Sequence, residues 1–310
     1  MSVDGKTQYD LLVITGPTAS GKTSLAVNIA SHLGGEIISA DSRQVYRGMD
    51  IGTGKDYNEY FINGRQVPVH LIDIADPGYK YNVFEYQRDF KNVYSDLCRR
   101  NVFPVICGGS GMYIDSIISG YRMFEVPPDS GLRAQLEKKS MEELGEILKS
   151  FKSLHNITDL DSKKRVIRAI EIEYSNNLKP GTQSGFPPLR SLIAGVSVDR
   201  EVRRKRITER LNQRLDAGMV EEVKKLLGNG VSEESIIYYG LEYKYITLYL
   251  AGKSSYDNMV KGLEIAIHQF AKRQMTWFRG MEKKGTRIHW IDGELLMEEK
   301  VEQVLRLLHG

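Results

Sequence analysis

Residues 11–33 read LLVITGPTASGKTSLAVNIASHL, in which an apolar run is followed by a glycine-rich turn and then by an amphipathic segment. The run Leu11–Thr15 has the length of a buried strand. Apolar residues recur every four positions at Leu25, Ile29 and Leu33, which indicates a helix. A strand, a glycine-rich turn and a helix in this order are typical of a phosphate-binding loop.

The turn matches the pattern G-x-x-x-x-G-K-[ST] from Gly16 to Thr23. Gly16 and Gly21 permit backbone angles that point successive N–H groups at phosphate oxygens. Lys22 adds a positive charge, the Thr23 hydroxyl suits Mg²⁺, and the following helix favours an anion at its N-terminus. The residues that we expect to hold phosphate are Gly16, Thr18, Ala19, Ser20, Gly21, Lys22 and Thr23, with Thr23 also the metal ligand. The pattern leaves open whether the ligand is a nucleoside triphosphate or the diphosphate of another donor.

Three further short apolar runs predict strands, at Glu36–Asp41, Val69–Ile74 and Val102–Cys107, and an uninterrupted helical segment covers Tyr81–Arg100. Strands that alternate with helices pair in parallel, and such sheets bind ligands beyond the carboxyl ends of their strands. Asp41, Asp73 and Gly108–Gly111 all fall at those ends, as does the phosphate loop. ATPases of this class end a strand with an acid that orders Mg²⁺ and water. Only Asp73 or Asp41 is available for that role, so ATP hydrolysis lacks a second supporting motif.

The composition changes after Gly120 to a segment rich in Lys, Glu, Arg and Leu without a strand pattern. We predict a small helical insertion domain over residues 121–189, with a loop at Ser175–Pro188. A strand at Leu192–Val198 and a long helix at Arg200–Leu227 then return the chain to the core, and the remainder reads as mostly helical. The predicted fold is therefore α/β: a P-loop NTPase-like parallel sheet flanked by helices, formed by residues 1–120 and 190–310.

The bulk properties are those of an ordinary globular protein. The chain has 310 residues with 43 basic and 40 acidic side chains, a net charge of +3, and only two cysteines, which excludes a disulfide framework. No signal peptide and no membrane-length apolar stretch occurs, so we expect a cytoplasmic protein without a membrane partner. Basic residues concentrate in Arg200–Arg214, which favours either phosphate contact or a solvated helix face.

Further motifs occur in a fixed order: SADSRQVYRGMDIGT at 39–53, HLIDI at 70–74, GGSGMY at 108–113, RVIRAIE at 165–171, RITER at 206–210 and AKRQMTWFR at 271–279. With the P-loop, they resemble the bacterial tRNA dimethylallyltransferases, also called tRNA isopentenyltransferases. The resemblance runs from about residue 11 to 280. It is most specific in the first 55 residues and at 271–279, and thin between 121 and 162.

The resemblance implies transfer of a dimethylallyl group from dimethylallyl diphosphate to N6 of the adenine next to the anticodon of tRNA. It implies that the P-loop and Arg210 hold the donor's diphosphate with Mg²⁺, and that Asp41 is the general base. Thr23 and Ser110 would contact the donor or its leaving group. The residues that it suggests for tRNA contact are Ser42, Gln44, Lys55, Arg165, Arg168, Lys272, Arg273 and Gln274. The insertion would contact the anticodon stem, and we expect the enzyme to act as a monomer.

Four departures from the family's usual sequence stand out. The family reads G-T-A-K-P where this chain has Gly52-Thr53-Gly54-Lys55-Asp56, and it has an arginine near Ile267-His268. Its glycine-tyrosine pair is Gly240-Leu241 here. The insertion is short and lacks a proline-asparagine-aspartate segment before Arg165.

Three other functions stay open from the sequence. An adenylate isopentenyltransferase would use the same donor and free AMP, ADP or ATP, and the short insertion is consistent with it. A small-molecule kinase would use the P-loop for ATP. A non-enzymatic RNA-binding protein would have lost activity, although Lys22, Thr23, Asp41 and Arg210 are all present.

Overall fold

A computed structural model describes residues 7–121, 126–151, 160, 162–178 and 188–310 of the chain. The chain forms two compact units, one from residues 1–120 with 187–310 and the other from residues 121–186. The first unit contains the sheet, and the second contains helices. Within the described residues, no helix is both long and apolar enough to cross a membrane.

The central feature of the first unit is a six-stranded sheet with the order β5-β2-β6-β1-β7-β8, in which all neighbouring strands pair in parallel. A separate antiparallel hairpin is formed by β3 and β4. The strands are β1 Leu11–Thr15, β2 Glu36–Ser39, β3 Phe61–Ile62, β4 Arg65–Gln66, β5 Val69–His70, β6 Pro104–Gly108, β7 Ser191–Ser197 and β8 His289–Asp292. The parallel sheet confirms the predicted α/β class.

The helices of the described residues are divided between the two units. They are α1 Lys22–Leu33, α2 Val83–Arg99, α3 Gly111–Ile118, α4 Ser130–Leu136, α5 Met141–Phe151, α6 Lys163–Leu178, α7 Arg200–Asp216, α8 Met219–Gly228, α9 Glu233–Tyr238, α10 Leu241–Leu250, α11 Tyr256–Lys283 and α12 Met297–His309. A short 3₁₀ helix covers Tyr57–Tyr60. Helices α4 to α6 belong to the second unit, where Leu144, Leu148, Val166 and Ile170 form a small apolar core.

Strand β1 lies between β6 and β7 and is buried along its whole length, which explains its continuous apolar sequence. One face of the sheet packs on α1 and α12, where Leu25 and Ile29 meet Val304 and Leu308 in a single core. Thr15 lies opposite Gly108 of β6, so the loops after these two strands leave the sheet side by side. This edge of the sheet carries the motifs that the sequence singled out.

Several predicted elements need correction. The strand predicted at Val69–Ile74 ends at His70, because Leu71 and Asp73 adopt positive φ angles that break the ladder. The helix predicted at Arg200–Leu227 is two helices, separated where Gly218 takes a φ of 97°. Helix α6 continues to Leu178 into the predicted loop, and residues 179–187 of that loop lie outside the described residues.

Two strand features were not predicted at all. The edge strand β8 pairs with β7 through residues such as Trp290 opposite Gly195. The hairpin of β3 and β4 turns at Asn63 and Gly64, which both have positive φ angles and form a favoured two-residue hairpin turn. Pro104 is the first residue of β6, a position where the missing N–H of proline is tolerated.

Candidate active site

The phosphate loop connects β1 to α1. Gly16 has a φ of 148°, and a side chain there would come within 2.9 Å of the Ser20 hydroxyl. Gly21 is left-handed with a φ of 85° and starts α1, and Ala19 also has a positive φ, of 62°. These backbone angles are those that turn consecutive N–H groups towards one point. The structure therefore places Gly16 to Thr23 in a loop suited to an anion at a helix N-terminus.

The two cations of the site come from distant parts of the chain. Lys22 donates from Nζ to the carbonyl of Pro17 at 3.3 Å, and the Arg210 guanidinium on α7 donates to the Thr18 hydroxyl. Burial lowers the pKa of Lys22, and the charge of Arg210 acts in the same direction. Burial, with the nearby Arg214, lowers the pKa of Arg210 to about 10. Two crowded, desolvated cations at one loop favour binding of an anion between them.

Gln274 joins the phosphate loop to the neighbouring loop. Its Oε1 accepts from the Thr18 N–H at 2.8 Å, and its Nε2 donates to the Gly109 carbonyl at 2.9 Å. The side chain lies on α11, and the residue is only 8% exposed. Gln274 was predicted as a tRNA contact, but both ends of its amide are bound within the protein. By contrast, its neighbours Lys272 and Arg273 are exposed.

Asp41 lies two residues beyond the end of β2. Its Oδ1 accepts from the Arg43 N–H at 2.9 Å, a local turn that fixes the carboxylate. Ser110 lies beyond the adjacent strand β6, and its Oγ accepts from the Ser42 N–H at 2.9 Å. The Ser110 N–H in turn donates to the Ala40 carbonyl at 3.1 Å. The loops that carry Asp41 and Ser110 are therefore bound to each other on both sides of Asp41.

Two other residues that were predicted to contact tRNA, Gln44 and Lys55, make hydrogen bonds within the loop that follows Asp41. Gln44 donates to the Gly54 carbonyl at 3.0 Å. The Lys55 ammonium donates to the Tyr46 carbonyl at 2.5 Å and to Asp50 at 2.9 Å, and it also binds Asp73. Lys55 is 4% exposed, so we replace the predicted tRNA contact with a structural role. Asp73 also accepts from the Tyr57 hydroxyl, and its carboxylate is therefore engaged away from the phosphate loop.

Two acidic residues at the site were not predicted. Partial burial, with Asp56, raises the pKa of Glu59, which interacts with the charges of Lys22, Arg210 and Arg214. Burial likewise raises the pKa of Glu242, whose carboxyl group interacts with the same two arginines. Glu242 follows Gly240-Leu241, where the sequence departs from the related family. This departure is the sequence feature that could have drawn attention to Glu242. No sequence signal indicated Glu59.

In the second unit, Arg168 is bound within the unit itself. It donates to the Val126 carbonyl at 2.8 Å and to Glu171 at 3.1 Å. Glu171 also accepts from Arg133 at 2.7 Å. Arg168 was predicted to contact tRNA, but its guanidinium links α6 to the start of the unit. Arg165, one turn earlier on α6, lies exposed.

Comparison with known proteins gives a consistent result. Residues 44–281 match the family described as IPP transferase, and residues 9–73 also match a family described as isopentenyl transferase. The chain is 61% identical over 300 residues to tRNA dimethylallyltransferase 2 of Bacteroides fragilis, covering 97% of this chain and 98% of that one. It is 58% identical over 302 residues to tRNA dimethylallyltransferase 2 of Phocaeicola vulgatus, covering 97% and 98%.

A solved structure has a similar fold along almost the whole chain. It is the full-length tRNA isopentenylpyrophosphate transferase of Bacillus halodurans, with a TM-score of 0.70 and 30% sequence identity. The similarity covers 97% of this chain and 95% of that one. The short insertion therefore does not prevent an end-to-end match.

Proposed function

The chain belongs to the IPP transferase family and is a tRNA dimethylallyltransferase, and we propose that its phosphate loop, Arg210 and Asp41 perform the transfer. The enzyme transfers a dimethylallyl group from dimethylallyl diphosphate to an adenine of tRNA. We propose that the acceptor is N6 of the adenine next to the anticodon. The observation that carries the proposal is the meeting of Arg210 with Thr18 of the phosphate loop, beside the loops of Asp41 and Ser110.

The phosphate loop would hold the diphosphate of the donor. As the bond between C1 of the dimethylallyl group and the diphosphate oxygen breaks, negative charge grows on the leaving group. Backbone N–H groups of residues 19–23, the Lys22 ammonium and the Arg210 guanidinium are fixed donors for that charge, whereas the Thr18 N–H is already bound to Gln274. Because both cations are desolvated in the free enzyme, an anion between them relieves their repulsion.

Asp41 would take the proton from the adenine amine. A neutral exocyclic amine is a poor nucleophile, and a carboxylate that accepts its proton as the N6–C1 bond forms lowers the barrier. The Arg43 N–H holds Oδ1 of Asp41, while Oδ2 makes no hydrogen bond with any residue in the described ranges. That oxygen is the one that we assign to the amine proton. Ser110 would keep the loop in place through its bond to the Ser42 N–H.

Mg²⁺ fits the donor set of this site. Mg²⁺ is commonly held by one or two protein oxygens together with substrate phosphates and water. The Thr23 hydroxyl lies in the first turn of α1. Across the part of the chain that the structure describes, no cluster of three or more His, Cys, Asp or Glu forms a metal site of its own. We propose Thr23 as the protein ligand of an ion that would neutralise part of the diphosphate charge.

The tRNA would be bound by exposed cations and by the insertion. Lys272 and Arg273 on α11 directly precede Gln274, which contacts the phosphate loop, and Arg165 is exposed on α6. Phosphate contacts of this type position an RNA without reading its sequence. The target adenine would have to leave its stack to reach Asp41, as bases do in base-modifying enzymes. We propose that the bound element is the anticodon stem-loop and that one chain suffices for activity.

The test is transfer of radiolabelled dimethylallyl from its diphosphate, with Mg²⁺, to unmodified tRNA and to AMP in parallel. We expect label on tRNA, at N6 of the adenine next to the anticodon, and its loss in Asp41→Ala. Label on AMP alone would reassign the enzyme to free adenylate. Label on neither, together with turnover of ATP, would support a kinase.

A further inference from the structure

Arg214 lies one helical turn after Arg210 on α7 and has an unusual environment. Its side chain is only 13% exposed, and its nearest charged partner is Asp56, at 3.6 Å between Nη2 and Oδ2. That distance exceeds a good hydrogen bond. Among the described residues, no acceptor forms a hydrogen bond with its guanidinium. A largely buried group with five N–H donors and no acceptor is costly unless a ligand supplies one.

The space for this guanidinium depends on Gly54. This glycine has a φ of 70°, and a Cβ added to it would come within 2.7 Å of Cζ of Arg214. The guanidinium therefore lies directly on the Gly54 backbone. Gly54 and Asp56 are both positions where the sequence departs from the family's usual G-T-A-K-P. Both departures thus face the same arginine.

Arg214 shares its surroundings with the two cations of the phosphate loop. The carboxyl group of Glu59 interacts with Lys22, Arg210 and Arg214 together. The carboxyl group of Glu242 interacts with Arg210 and Arg214. Arg210, one turn earlier on α7, donates to Thr18 of the phosphate loop, and residues four apart on a helix lie on the same face, so Arg214 lies on the helix face that meets the anion site.

We propose that Arg214 is a second diphosphate-binding arginine, which acts beside Arg210 on the donor and on the diphosphate product. The inference rests on the proposed function, because that function supplies the diphosphate. Its chemistry is a charge-assisted contact between a guanidinium and phosphate oxygens, for which the planar arginine is better suited than lysine. The Asp56 carboxylate, at 3.6 Å, would balance the charge of the guanidinium until the anion arrives.

The first experiment measures binding of inorganic pyrophosphate, with Mg²⁺, by calorimetry. In Arg214→Met, which keeps the apolar stem, we expect weaker binding by on the order of tenfold or more, with a parallel rise in KM for the donor. Arg214→Lys should recover part of the loss. Arg99→Gln, at an exposed arginine of α2 paired with Asp96, is the matched control and should bind as the wild type does. Unchanged pyrophosphate binding in a folded Arg214→Met enzyme would overturn the inference.

Direct binding also separates this inference from the proposed function. If the wild-type enzyme labels tRNA while Arg214→Met binds pyrophosphate normally, only the role of Arg214 is wrong. Suppose instead that the wild-type enzyme does not label tRNA, but that Arg214→Met binds pyrophosphate more weakly than the wild type. The anion site then stands and the proposed acceptor is wrong. A melting curve for each variant shows that it is folded.

The second experiment uses Gly54 and Gly48, which lie in one loop with similar φ angles of 70° and 66°. A Cβ on Gly54 would displace the Arg214 guanidinium, whereas a Cβ on Gly48 would meet nothing within 4 Å. We expect Gly54→Ala to weaken pyrophosphate binding and Gly48→Ala to leave it unchanged. In a double-mutant cycle, Gly54→Ala should add little to Arg214→Met. Equal effects of the two glycine substitutions, or full additivity with Arg214→Met, would contradict the proposal.

Discussion

The backbone N–H of Thr18 donates to Oε1 of Gln274 at 2.8 Å, although 256 residues separate the two in sequence. The same side chain donates to the carbonyl of Gly109 at 2.9 Å. A single amide from α11 therefore binds both the phosphate loop and the loop that follows β6. The shape of the phosphate loop is thus set in part by a helix near the other end of the chain.

Replacement of Gln274 by methionine should reduce both stability and donor binding. The substitution leaves the Thr18 N–H and the Gly109 carbonyl without a partner, at about 1–3 kcal/mol for each buried group. We expect lower stability in urea unfolding and a raised KM for dimethylallyl diphosphate. Thr276→Ala, two residues further along α11, removes only a bond to the Lys272 carbonyl of the same helix and is the control. A Gln274→Met enzyme with wild-type stability would show that the bridge contributes nothing.

Asp41→Asn should slow transfer strongly but preserve donor binding. The amide oxygen can still accept from the Arg43 N–H, so the turn keeps its geometry. The amide cannot accept the proton of the adenine amine, and we expect the transfer rate to fall by about 10²-fold or more. Single-turnover labelling of tRNA measures the transfer rate, and calorimetry with pyrophosphate measures the affinity of the diphosphate site. Transfer close to the wild-type rate would exclude Asp41 as the base.

Glu222 should be needed for the loop that carries Gln44 and Lys55. Its carboxylate accepts from the N–H groups of Asp50 and Ile51, each at 2.7 Å, and of Gly52 at 3.0 Å. It also accepts from the Tyr243 hydroxyl at 2.6 Å. We expect Glu222→Gln to speed amide hydrogen exchange at residues 50–52, because the amide has one acceptor oxygen instead of two. Exchange as slow as in the wild type would refute the role.

Acid should destabilise the protein partly through Glu36 of β2. Hydrogen bonds from Arg100, and then from His70, lower the pKa of Glu36 to about 2, from 4.5. Because the folded pKa is the lower one, this contribution to stability is present above the unfolded pKa and is lost as the pH falls from about 4.5 to about 2. Glu36→Gln should flatten the pH dependence of urea unfolding in that range. An unchanged slope would show that Glu36 is not responsible.

The sequence predicted those parts of the fold that are encoded locally. An apolar run predicts strand β1, and the two glycines of the motif predict the phosphate loop. Apolar residues at every fourth position predict α1. Strand β8 was missed because its four residues, His289–Asp292, are too few to show a clear strand pattern, and pairing with β7 makes them a strand. The hairpin of β3 and β4 did carry a signal, the pair Asn63-Gly64, which is typical of a two-residue turn.

The site was harder to predict than the fold because a motif does not say what a side chain touches. Lys55 and Gln274 lie in the expected motifs, but their polar atoms are bound inside the protein. Arg214 showed only as one cation of a basic stretch, and its contact with Gly54 joins residues 160 positions apart in the chain. Such tertiary contacts have no period or spacing that a single sequence reveals.

The strand order has a consequence for synthesis of the protein. Strand β1 needs β7 as its second neighbour, and β7 is translated only after the whole insertion. Arg210 and Gln274, which both bind the phosphate loop, are also translated after β7. Since domains fold as their segments emerge from the ribosome, the nascent chain has its phosphate loop long before it has the partners of that loop. A prematurely terminated chain would thus carry an incomplete anion site, so donor binding reports that translation has passed α11.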